Sequence, residues 1–270
     1  MGLSMRNALE NDLKNIKNIS YIIGKHNPDE SMSDYLRKIK PEVDAVWIIA
    51  PETNNELIKA KEILSDKPWV GCQEPALNLS TNKCSTKKKL LEFNILNPDS
   101  ITYNNFSLLE YIVKPEDGAG CENTTKHISY KSAKESFSVR KAQGEDVMLE
   151  KFIPGQTMSF AMLCSDKNSE ILTINRQIIN IKKNGKLIYD GICRINHEID
   201  QNLKIKVNKI GNKLREALPG LKGFVGVDFI LDQNTDICVI EINPRITCSY
   251  IGLSNYLNRS IAKEILKICL

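Results

Sequence analysis

Residues 226–245 read GVDFIL-DQNTD-ICVIEINPR, and this stretch restricts the fold more tightly than any other. Two apolar runs, FVGVDFIL (224–231) and ICVIEINP (237–244), flank a polar turn, which is the pattern of a β-hairpin. The acids do not sit at the strand ends, where water would reach them. Asp228 and Glu241 interrupt the apolar runs, and Glu241 and Asn243, two residues apart, share one face of their strand. Paired carboxylates on an inward face repel each other without a cation. Hard oxygen ligands on one sheet face suit Mg²⁺, which keeps some waters and completes its shell with nucleotide phosphate oxygens. Arg245 follows, placed for its planar fork to meet a phosphoryl group or a carboxylate. An edge hairpin with solvated acids is the competing account, and the apolar residues flanking each acid argue against it.

Two shorter motifs precede the hairpin. VKPEDGAG (113–120) delivers Lys114 from a strand into a loop bearing Gly118 and Gly120, whose backbone N–H groups can approach an anion. Taken alone it is equally a surface hairpin with a turn glycine. Lys114, leading into such a loop, is expected to contribute little to the core. VMLEKFIPG (147–155) ends an apolar strand in Glu150 and Lys151 before a Pro-Gly turn. A strand that stops pairing there exposes a free C=O and N–H, which a purine could use, with Met148, Phe152 and Ile153 as an apolar slot. Alone, this too reads more readily as a buried strand with a charged exit. Lys87, Lys88 and Lys89 form the one dense basic run, expected to be a solvated helix face, with anion steering as the minor alternative.

Around these motifs, apolar spacing predicts helices at 5–17 and 31–39, a strand at 45–50, a helix at 54–64 and a strand at 68–71. The short run ISYII (19–23) lies between the first two helices. This is a small parallel α/β layer that opens in a helix rather than a strand. Downstream come helices at 86–93, 131–142, 201–217 and 258–269. Strands are expected at 108–115, 146–153, 157–164 and 170–179, with an NGK turn at 184–186. Strands dominate here with few crossover helices, so the class is α+β rather than a second doubly wound domain.

Composition removes several alternatives. The chain has 270 residues and a formal charge of +4, from 37 basic and 33 acidic residues that are interspersed. No aromatic-plus-basic stripe marks a nucleic-acid partner. No stretch approaches the 18 apolar residues of a spanning helix, so a membrane partner is not expected. Eight cysteines without C-x-x-C spacing and only three histidines make a structural zinc site improbable. Thiols in a chain that opens without a secretion signal point to a reducing cytoplasm.

In order and spacing, STNK (80–83), VKPEDGAG (113–120), LEKFIPG (149–155), GFVGVD (223–228) and IEINPRITCSYIGL (240–253) resemble the ATP-grasp superfamily, and within it the archaeal tyramine–glutamate ligases. The resemblance runs from about Leu77 to Gly252. It implies two α+β lobes clasping ATP, with a shortened N-terminal α/β domain at 1–78, a small lobe at 79–153 and a large lobe at 154–270. It places Lys83 and Lys114 on phosphates, with the Gly118–Gly120 loop closing over them. Glu150 would accept from the adenine amino group, and the backbone at Lys151 and Ile153 would hold the rest of the purine edge. Asp228, Glu241 and Asn243 would ligate Mg²⁺, with Mn²⁺ able to substitute, and Arg245 would stabilise the phosphoryl group. Where many members carry a ribose-binding glutamate, Thr157 stands here.

The implied activity is ADP-forming carboxylate–amine ligation through an acyl phosphate. At its most specific it joins L-glutamate to tyramine, in methanofuran-type cofactor biosynthesis. The implied partners are small-molecule carboxylates and amines, and a homodimer is the assembly to test. No histidine falls in a matched motif, so no general base is assigned. The competing reading is an ATP-binding regulatory or scaffold protein without turnover.

Overall fold

The computed structural model describes residues 2–24, 29–99, 109–118, 120–195 and 199–270. Residue 108 of the first predicted small-lobe strand and residue 119 of the glycine loop fall outside them. The N-terminal segment contributes α1 (Gly2–Lys14), α2 (Met32–Ile39), α3 (Glu56–Ile63), α4 (Glu74–Ser80) and α5 (Lys83–Glu92). The predicted strands at 45–50 and 68–71 reduce to one parallel bridge, Val46 with Trp69. It is held by Val46 N–H on Pro68 C=O (2.9 Å) and Val70 N–H on Val46 C=O (2.8 Å). Packing rather than pairing fixes these runs. Leu57, Ala60, Leu64 and Trp69 join the same buried cluster as Phe160 and Val227 of the large sheet. ISYII stays outside any ladder, with Ile19 and Ile22 exposed. Sequence periodicity missed α4, which is too short to show a repeat, although Pro75 in its first turn favours a helix start.

A small antiparallel sheet follows, made of β1 (Tyr111–Pro115), β2 (Thr125–His127) and β3 (Val147–Lys151) in the order β2-β1-β3. It is backed by α6 (Tyr130–Ala142), with Val113, Ala133 and Val147 as its core. The larger sheet has β4 (Gly155–Cys164), β5 (Ser169–Ile181), β6 (Leu187–Arg194), β7 (Gly223–Asp232) and β8 (Ile237–Asn243), in the order β6-β5-β4-β7-β8. All its neighbours run antiparallel. The helices are α7 (Gln201–Ala217), between β6 and β7, then α8 (Leu253–Leu257) and α9 (Ile261–Cys269) after β8.

Alternation along β4 explains why the site lies where it does. Met158, Phe160 and Met162 point into the cluster that includes Leu203, Val207 and Leu214 of α7. Ala161 and Leu163 point the other way, against Met5 and Leu9 of α1 and Ile261 and Ile265 of α9. Those helices cover only half of that second face. Thr157 and Ser159, on the uncovered half, border an open cleft instead.

The NGK turn between β5 and β6 crosses to the small sheet. Lys126 N–H donates to Gly185 C=O (2.8 Å), and Leu187 N–H donates to Thr124 C=O (3.0 Å). Gly185 has φ +81°, and a Cβ there would lie 2.3 Å from the Lys126 carbonyl oxygen. Gly185→Ala should therefore detach the turn and lower stability by about 1–3 kcal/mol. Urea unfolding reads the loss, and amide protection at Lys126 and Leu187 should fall with it. Unchanged protection at both amides would contradict the account.

Candidate active site

Of the residues singled out by sequence for nucleotide, metal or phosphoryl contact, all but Met148 of the expected purine slot border a single cleft of about 570 Å³ between the two sheets. The floor comes from the large sheet. Asp228 pairs with both Ser159 and Glu241, and Asn243 lies opposite Gly226, so the ladder sets the acids on one face. Gln177 donates from Nε2 to Asp228 Oδ1 (2.8 Å), and Asn243 Nδ2 lies 3.5 Å from Asp228 Oδ2. Burial, then the neighbouring Glu241, push the Asp228 carboxyl up to about 7. Like charges directly opposite in a ladder are unfavourable, and a cation between them would relieve the strain. Among the described residues, no three His, Cys, Asp or Glu gather to hold a metal. The donor set is two carboxylates and an amide. It fits a hard cation that brings waters and phosphate oxygens, not a closed structural site.

The roof comes from the small lobe and α5. Asn82 caps α5 through its side chain, accepting from Ser85 N–H (2.8 Å), which sets Lys83 in the first turn. The Lys83 ammonium reaches Glu241 Oε1 and the Gly118 carbonyl, both at 3.1 Å. Burial opposes its charge, but Glu241, Glu52 and Asp117 together hold its pKa above the ordinary lysine value. Gly118 and Gly120 take φ of +99° and +68°, backbone that side-chain-bearing residues seldom adopt.

Lys114 is buried, with its ammonium 2.6 Å from Glu150 Oε1. It is a structural member of the small lobe and not the peripheral loop residue expected. Lys87 departs further from expectation. Lys88 is exposed, but Lys87 is buried and lies 2.9 Å from Glu150 Oε2 and 3.0 Å from Asp99. Burial would raise the Glu150 pKa, yet Lys114 and Lys87 outweigh it and hold the carboxyl below its ordinary value. Each Glu150 carboxylate oxygen thus faces a lysine ammonium, and the residue borders the cleft. Among the described residues β3 pairs with β1 alone, Phe152 N–H extends that pairing onto Glu110 C=O (2.9 Å), and Lys151 and the buried Ile153 border the cleft.

Arg245 lies just past β8 and faces the same cleft. Its Nη1 donates to Ile246 C=O (3.1 Å) and its Nη2 to Glu52 Oε2 (2.6 Å), and its Nε is buried without a partner. Sequence reasoning missed Glu52, a buried acid from the N-terminal segment. Its one local signal is an acid directly after an apolar run and a proline, AVWIIAPE. Burial pushes its carboxyl up more strongly than Arg245 pulls it down. Gln177, which orients Asp228, was missed as well. Thr157 donates its hydroxyl to the Gln177 carbonyl (3.0 Å).

A cleft between two α+β sheets, with lysines on its roof facing paired acids on its floor, defines the ATP-grasp architecture. Residues 80–249 match the family described as the ATP-grasp domain, and residues 6–77 match the pre ATP-grasp 3 domain. The chain belongs to the ATP-grasp family. It is 29% identical over 259 residues to the tyramine–L-glutamate ligase of Methanocaldococcus jannaschii, covering 95% of this chain and 71% of that one. The tyramine–L-glutamate ligase of Methanocaldococcus fervens is 26% identical over 288 residues, covering 98% and 86%. The fold also resembles a D-alanine–D-alanine ligase structure from Bacillus anthracis. The TM-score is 0.73 at 17% identity, with 99% of this chain and 92% of that one covered. All eight cysteines are unpaired, and among the described residues no helix is long and apolar enough to cross a membrane.

Proposed function

We propose that this chain, an ATP-dependent carboxylate–amine ligase of the ATP-grasp class, activates the side-chain carboxylate of L-glutamate and transfers it to an aromatic amine such as tyramine. One observation carries the reading. The cations Lys83, Lys114 and Arg245 share a cleft with the oxygen donors Asp228, Glu241 and Asn243, and sequence singled out each of them beforehand. The substrate assignment draws on the two archaeal relatives, both matched over nearly the whole chain. Apolar and aromatic lining at Ile49, Tyr189 and Ile192 suits an aromatic ring.

In the first step a carboxylate oxygen attacks the γ-phosphorus of ATP, the bond to the β,γ-bridging oxygen breaks, and ADP leaves with the electron pair. In the second, the neutral amine attacks the acyl carbon, the C–O bond to phosphate breaks with the electron pair leaving on phosphate, and the proton lost by nitrogen passes to the departing phosphate. Held by Asp228, Glu241 and Asn243, Mg²⁺ would neutralise phosphate charge. Lys83 and Lys114 hold the phosphate chain, and Arg245 meets the transferred group with a planar fork. Gly118 and Gly120, both on the cleft, bring backbone close to the phosphates. Glu150, which borders the cleft, takes the adenine amino group, and the backbone at Lys151 and Ile153 takes the remaining purine edge. Positioning and electrostatics account for the rate, with no covalent role for the protein. The domain boundaries at 78/79 and 153/154 belong to the same proposal.

Hydroxylamine tests the chemistry, because it traps an acyl phosphate as a hydroxamate. Glutamate with Mg-ATP and hydroxylamine should give a hydroxamate that depends on both glutamate and ATP. If another amino acid gives the product and glutamate does not, ligation stands and the substrate assignment fails. If ATP binds and no carboxylate yields a hydroxamate, the chain is a nucleotide-binding regulator.

A further inference from the structure

We infer that Glu52 is a positioning residue for phosphoryl transfer, holding the Arg245 guanidinium from the side away from the cleft. The inference rests on the phosphoryl role of Arg245 proposed above. Arg245 borders the cleft, whereas Glu52 does not. Glu52 is 2% exposed and lies 193 residues from Arg245 in sequence, with its Oε2 2.6 Å from Nη2. The Ile246 carbonyl holds Nη1 at 3.1 Å. Two acceptors on two nitrogens fix the plane of the guanidinium, and the buried Nε stays free of protein partners. An arginine without the carboxylate would retain its charge but swing about its side-chain torsions. A displacement of about 1 Å at a reacting centre can lower a rate by about 100-fold.

The same short segment reaches the opposite wall. Asn54 N–H donates to Asp117 Oδ2 (2.9 Å), beside Gly118, whose carbonyl accepts from Lys83. Asn54 and Asn55 both have left-handed backbone, φ 56° and 57°, in a tight reversal before α3. Residues 52–54 thus touch both the arginine and the glycine loop. Through Glu52, the N-terminal segment, which also lines the cleft at Ile49, Ala50 and Pro51, holds a site residue that lies just past β8.

The test compares ground-state and transition-state mimics of the nucleotide. Wild type, Glu52→Gln and Glu52→Asp are titrated with Mg-ADP and with Mg-ADP plus aluminium fluoride, which imitates the phosphoryl group in flight. In Glu52→Gln, Mg-ADP affinity should stay within about threefold while the fluoride complex weakens by about tenfold or more. Glu52→Asp keeps the charge but withdraws it by one methylene, and should show the same split to a smaller degree. Introducing Glu52→Gln into Arg245→Met should add no further loss, because both act through one group. Equal weakening of both complexes in each variant, an unchanged fluoride complex, or additive losses in the double variant would overturn the inference. Wild type giving no hydroxamate from any carboxylate would overturn the ligase reading alone, since the fluoride titration needs no second substrate.

Discussion

Glu241→Gln and Asn243→Ala should each lower Mg²⁺-dependent turnover by about 100-fold or more, the scale of losing one preorganised electrostatic group. Both side chains stand on the floor of the cleft, and the ladder sets Glu241 directly across from Asp228. Glu241 also pairs with Lys83 at 3.1 Å, so its loss has two routes to an effect. Mg²⁺ titration separates them. Saturating Mg²⁺ should partly restore a variant that has lost a metal ligand, and it should not restore one whose lysine has been set loose. Near-normal turnover of both variants at limiting Mg²⁺ would remove these residues from the metal site.

The second large effect is on stability. Glu150 lies buried between two lysines, 2.6 Å from Lys114 and 2.9 Å from Lys87. Glu150→Leu leaves Lys114 buried without that partner and Lys87 with only Asp99. Breaking a buried pair in this way costs about 3–5 kcal/mol, because the remaining charge is uncompensated. Urea unfolding of the two proteins gives the difference directly. Its pH dependence has a fixed sign. The folded-state carboxyl titrates below its ordinary value of 4.5, so the stability it contributes is fully present above that pH. That contribution is lost as pH falls through the lower folded value. Wild type and variant should therefore converge in acid, and a gap that widens below pH 4.5 would contradict the ion-paired assignment.

Legibility in the sequence followed the range of the forces involved. The helix predicted at 201–217 matches α7 at both ends, because a long amphipathic repeat and the Asp200 cap are local. The hairpin of β7 and β8 was legible for the same reason, since strand alternation and a polar turn lie within one window. The strands at 45–50 and 68–71 were not, because whether an apolar run pairs or merely packs depends on neighbours elsewhere in the chain. In Lys87 the helix was read correctly but the face was not. What buries its ammonium is Glu150 on β3, and nothing in the KKK run announces that carboxylate. Glu52 is the sharpest case. The argument that found Glu241, an acid among apolar residues, applies to AVWIIAPE as well, but its partner Arg245 comes only with the fold.

The crossing of the NGK turn bears on aggregation as well as on stability. β2 is the outermost strand of its sheet and β6 the outermost of the other, and such strands offer unpaired N–H and C=O groups to any chain that passes. Thr125 bridging Lys186, flanked by the two main-chain hydrogen bonds, makes each margin the cap of the other. Releasing the turn would therefore uncover two templates for intermolecular pairing at once. A freed variant should lose solubility with rising concentration even where its remaining stability keeps both lobes folded.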